Sequence, residues 1–143
     1  TKYMNWLLKT EPNEYFYTDL EKEGTTVWDG VKNGLALKNM RAMLRGEEAF
    51  IYHTGKERRI MGIAQVASAA YPDPKLNEVK RLVIDIRAVR KLAEPITLAQ
   101  IKQDEQFTGF DLLRLPRLSI VPVLPQHWQR LLEMTKTVND TDL

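Results

Sequence analysis

The sequence predicts an α+β domain built on a curled, largely antiparallel sheet. Short alternating apolar stretches, mostly joined as hairpins, recur along the chain, and short helical spacings interrupt them. Neither an internal repeat nor a long linker divides the chain, and its 143 residues suit one core. Residues 1–135 are expected to form that single domain, and 136–143 a polar, frayed tail.

Asn5–Thr10 reads as a strand stopped by Glu11-Pro12, where proline also holds Glu11 extended. Alternation puts Lys9 and Glu11 on one face. They are either a surface ion pair of little worth or two polar fingers at a pocket rim. Thr18-Asp19-Leu20-Glu21 matches a capping box, opening a short helix that ends near Gly24. Val27-Trp28-Asp29-Gly30-Val31, with Asn33 just after, sets a flat ring with one N–H donor beside a short acid and a turn glycine. Those are the parts of a pocket for a flat, polar ring. A buried core tryptophan followed by an ordinary turn would read the same way.

Gly34–Arg45 carries apolar residues at helical spacing and stops at Gly46. Glu48–His53 and Ile60–Ala70 read as strands joined by a turn at Thr54-Gly55-Lys56, with Gly62 loosening the second. Tyr71-Pro72-Asp73-Pro74 reads as a loop, and Lys80–Leu92 as the longest strand. Thr97-Leu98-Ala99-Gln100 is a second capping box, for a helix to about Asp104. Leu112–Leu118 reads as irregular, and Ser119–Val123 as the last strand. Pro125 suits the first position of a helix whose Trp128, Leu131, Leu132 and Thr135 share one face, with Trp128 in the core.

Composition excludes several chemistries. Without cysteine there are no disulfides and no thiol nucleophile. His53 and His127 lack metal-ligand spacing, so no metal is expected. No GxSxG motif and no phosphate-cradling glycine loop occurs, and no cofactor is expected. No apolar run approaches bilayer-spanning length and no signal-peptide pattern is present, so the expectation is an intracellular protein without membrane association. That means cytoplasmic, or nuclear in a eukaryote. A net charge of +2 permits a phosphate partner but is too small to hold nucleic acid by charge alone.

Aromatic candidates for stacking on a base are Trp28, Tyr52 and Tyr71, with Asp29, Asn33, His53, Arg117 and Ser119 as polar groups for its edge. Each has a duller explanation: Tyr52 as core, His53 bonded to a neighbouring loop, Arg117 as a solvated charge. A Thr10 nucleophile activated by Lys9 is the enzymatic alternative, although neighbours on a regular strand point to opposite faces.

Taken together the chain resembles the EVE domain family, a relative of PUA-like and YTH domains, and looks like a stand-alone bacterial member. The resemblance runs through Trp6-Leu7-Leu8-Lys9-Thr10-Glu11-Pro12, Trp28 to Asn33, Ala36 to Arg41 and Tyr52-His53-Thr54. It continues through Gly62 to Val66, Tyr71-Pro72-Asp73, Pro95-Ile96-Thr97-Leu98, Arg117 to Val123 and the Trp128 helix. Departures are Lys32, where the family often has arginine, Gly34, where it has a bulkier residue, and a shorter loop after Asp73. The resemblance implies a PUA-like pseudo-barrel with short flanking helices. It also implies a cleft for a modified base, in DNA or RNA, flipped from its stack. Carried over, that cleft takes Lys9, Glu11, Trp28, Asp29, Gly30, Val31, Asn33, Tyr52, His53, Arg117 and Ser119. The function expected is non-catalytic recognition of a modified nucleobase, with no catalytic residue assigned. The alternatives are a small amidohydrolase acting on a modified nucleoside, through Lys9, Thr10 and Glu11, or a protein-interaction module.

Overall fold

The computed structural model describes residues 4–76 and 78–141, with side chains described through residue 135. Among these described residues seven strands form one sheet: β1 (Asn5–Thr10), β2 (Thr25–Trp28), β3 (Glu48–His53), β4 (Arg59–Val66), β5 (Tyr71–Pro72), β6 (Leu82–Thr97) and β7 (Ile120–Val123). They lie in the order β2-β6-β4-β3-β1-β7, with β5 also on β6. The β1–β3 pair is parallel, and every other pair is antiparallel. The helices are α1 (Tyr17–Glu23), α2 (Gly34–Ala42), α3 (Leu98–Gln103), α4 (Asp111–Arg114) and α5 (Pro125–Thr141), with a 3₁₀ turn at Glu105–Phe107. This is the mixed, mostly antiparallel fold that the sequence predicts. Among the described residues no helix is long and apolar enough to cross a membrane.

Several boundaries differ from the sequence reading. α1 begins at Tyr17, and its N-cap is Phe16, two residues before the Thr18 expected there; the Asp19 carboxylate accepts the Phe16 N–H at 2.8 Å. Residues 25–28, for which the sequence predicts no strand, pair with β6 through Trp28↔Ile84. β4 ends at Val66, and Tyr71-Pro72, read as a loop, form β5. β6 runs on to Thr97 because Pro95, which lacks an N–H, falls in a shifted stretch between the Gly62↔Lys91 and Ile60↔Ile96 pairings. The 112–118 segment begins inside α4 instead of being irregular throughout. α2 stops at Ala42, short of Arg45, and α5 starts at Pro125 as expected. Residues 142 and 143 of the expected tail lie outside the described residues.

The core sits between the sheet and its helices. Trp128 of α5 is buried and tilts against Phe50 of β3, ring centroids 4.4 Å apart. Burying two such rings contributes several kcal/mol on an order-of-magnitude scale. Gly62 does more than loosen β4. A Cβ there would lie 2.4 Å from Cζ of Tyr17, so the missing side chain admits that buried ring. The Tyr17 hydroxyl then donates to the Ile63 carbonyl at 2.6 Å. At the far end of β1, buried Glu47 accepts from Trp6 Nε1 at 2.8 Å and from the Met4 and Leu44 N–H groups at 2.7 Å each.

Candidate functional site

A hollow of about 900 Å³ opens where the two ends of the sheet path approach one another. Trp28 of β2, at one end, and Ser119, just before β7 at the other, both line it. The sheet is therefore curled, as a pseudo-barrel requires. Local structure explains how each wall arises. β1 breaks at Pro12, leaving Lys9, Thr10 and Glu11 at the rim, and the Lys9 N–H donates to the Ser119 carbonyl at 3.0 Å. β2 ends at Trp28, after which Gly30 adopts φ +77°, a left-handed turn that favours glycine. That turn carries Asp29 to Lys32 along the opening. The segment Asp73 to Lys75 closes another side.

Trp28 lies where the core and the hollow meet. Its ring belongs to the core and is only 8 % exposed, yet it borders the hollow. Its indole N–H has no acceptor among the described residues and is not sealed away from solvent. Tyr15 meets it edge-on, centroids 6.1 Å apart at 84°. The Tyr15 hydroxyl donates to Glu23, and burial together with that bond pushes its pKa up to about 12. Tyr71 does not line the hollow, but its hydroxyl donates at 2.6 Å to Asp85, which does. That bond and partial burial likewise raise Tyr71 to about 12. Both phenols therefore stay protonated and hold their carboxylates in place.

Burial lowers the pKa of Lys9, whose Nζ donates to the Pro116 carbonyl at 2.8 Å and lies 5.9 Å from the Tyr52 ring centroid. The Thr10 hydroxyl donates to the Tyr15 carbonyl at 3.1 Å. Lysine and threonine are thus each engaged with backbone, not with one another.

Of the residues carried over from the resemblance, Lys9, Glu11, Trp28 to Val31 and Ser119 come together around the hollow. The other four lie off its lining. Asn33 caps α2, its side chain accepting the Ala36 N–H at 3.0 Å. Tyr52 is buried beneath Lys9. Arg117 is exposed to one side. His53 is fully buried, its Nε2 accepting the Tyr17 N–H at 3.0 Å, which leaves Nδ1 to donate to Glu57 at 2.9 Å. That bond holds the Glu57 carboxyl below the usual glutamate range. The sequence reading missed Tyr15 and Glu23, whereas the Asp73–Lys75 wall belongs to the loop after Asp73 that it singled out as departing from the family. Among the described residues no group of three histidine or acidic side chains could hold a metal ion.

Residues 4–134 match the family model of the EVE domain. Thymocyte nuclear protein 1 of Homo sapiens is 32% identical over 164 residues, covering 91% of this chain and 73% of that protein. A hypothetical protein from Leishmania major superposes with a TM-score of 0.90 at 31% identity, covering 96% of this chain and 98% of the other. The human THYN1 protein, solved in complex with 5-methylcytosine-containing DNA, gives a TM-score of 0.81 at 32% identity, covering 93% of this chain and 98% of that one.

Proposed function

The chain belongs to the EVE domain family, and from that premise we propose that it is a non-catalytic reader of a modified nucleobase in DNA. The base leaves its stack and enters the hollow beside Trp28. The observation that carries this reading is the meeting of Trp28 and Ser119 around one open cavity. A largely buried aromatic ring that borders the hollow with an unpartnered N–H, beside exposed acceptors, suits a flat ring with a hydrogen-bonding edge. The relative solved with 5-methylcytosine DNA supports DNA as the polymer, and RNA is an arm of the test.

The energetics are workable. Extruding a base costs a few kcal/mol, least when it is already weakly paired. Stacking on an aromatic face returns roughly 1–3 kcal/mol. Discrimination then falls to edge contacts: Asp29 and Glu11 accept, Ser119 donates or accepts, and the Trp28 N–H donates. Lys9 and Lys32 stand at the rim, where a flanking phosphate passes.

The test is binding of matched DNA and RNA oligonucleotides, with and without 5-methylcytosine, to the native chain and to Trp28→Ala. The native chain is expected to prefer methylated DNA, and the variant to lose that preference by tenfold or more (about 1.4 kcal/mol). Circular dichroism and thermal unfolding keep a folding defect separate from a binding defect. A folded variant that binds as the native chain does overturns the reading.

A further inference from the structure

The hollow carries a charge at odds with a phosphate-binding role. Glu11, Glu14, Glu23, Asp29, Asp73 and Asp85 line it, against only Lys9, Lys32 and Lys75. None of the three lysines is ion-paired to a carboxylate among the described residues. Glu23 and Asp85 are held by tyrosine hydroxyls, and Asp73 accepts the Lys75 N–H at 2.9 Å. Glu11, Glu14 and Asp29 have no side-chain partner among the described residues. A second, independent observation concerns Trp28. Its side chain is more than nine-tenths buried, it borders the same space, and its N–H lacks an acceptor.

An occupant that completes this site brings one acceptor for the indole N–H and donors or positive charge for the carboxylates. A cytosine-type edge supplies an acceptor beside its N4 amine. The exposed Glu11, Glu14 and Asp29 leave the hollow with more negative than positive charge, which favours positive charge beyond that amine. We infer that the modification this hollow favours is an amine-bearing, cationic substituent on a cytosine-type ring, preferred over a neutral alkyl group and strongly over an acidic one. The inference rests on the base-reading function proposed above and specifies its ligand. Phosphates stay outside, since the carboxylates around the hollow outnumber its lysines and repel them at short range.

The experiment uses one duplex sequence with a single central cytosine that is unmodified or carries 5-methyl, 5-aminomethyl or 5-carboxyl. Affinities are measured by fluorescence anisotropy at one fixed salt concentration. The aminomethyl duplex should bind about tenfold tighter than the methyl duplex, and the carboxyl duplex about tenfold weaker. The isosteric double variant Glu11→Gln, Asp29→Asn should compress that spread to about twofold. If the methyl duplex outbinds the unmodified one but the three substituents do not separate, the charge inference falls and the base-reading function stands. If the carboxyl duplex binds tightest, the inference falls as well. A spread unchanged in the double variant overturns the role of these two carboxylates. If no modified duplex exceeds the unmodified one, both readings fall together.

Discussion

Tyr17 lays its ring where Gly62 would carry a side chain, and its hydroxyl reaches the next carbonyl along β4. The ring is sealed in the core, so it has little room to retreat. Gly62→Ala is expected to destabilise the chain by about 1–3 kcal/mol, the usual cost of overpacking. Urea unfolding measures this directly. Pairing the change with Tyr17→Leu should recover part of the loss, because the clash partner goes with it. Residue identity alone pointed to a glycine with a purpose in β4, but not to which ring it admits. His53 shows the same limit. Its donor is the backbone of Tyr17, far away in sequence, and no local pattern announces that a histidine ending a strand will be an acceptor in the core. Asn33 was legible as a polar residue in the right neighbourhood. Its cap on α2 is a local motif that the flanking helical spacing already contained.

The turn joining β3 and β4 is pinned by one charged contact set: His53 Nδ1 donates to Glu57, and Arg59 Nε lies 3.5 Å from the same oxygen. Because the folded state holds the Glu57 pKa below its unfolded value, this contribution is fully present above the ordinary glutamate range. It is lost as pH falls through the depressed value. Unfolding measured across the acid range should show the native chain losing stability there relative to Glu57→Gln, which lacks the titration. Curves that stay parallel would remove the contact from the account. At this scale the sequence conveyed most strands and helices, because alternation and capping are local. It failed where pairing decides: β2 and β5 are short and become strands only because β6 offers partners, and β6 outlasts Pro95 only because its pairing shifts there.

For the molecule as a whole, a small net charge and a cavity richer in carboxylates than in lysines limit how many phosphates the chain can neutralise. Binding of modified DNA should therefore weaken only gently with salt, with a log–log slope of about −2 to −3. Titrations at several salt concentrations give that slope, and a steep one would point to an extended backbone track. Short hairpin-joined strands announced a curled sheet, but no local pattern brings a second strand and a seventh to one opening. That closure has a consequence for synthesis. The pocket's final wall is among the last parts of the domain to leave the ribosome, so a nascent chain halted before Ser119 presents an unfinished groove. Under the proposed function, a chain truncated before Ser119 is expected not to bind modified DNA, which an oligonucleotide-binding assay on that truncation checks.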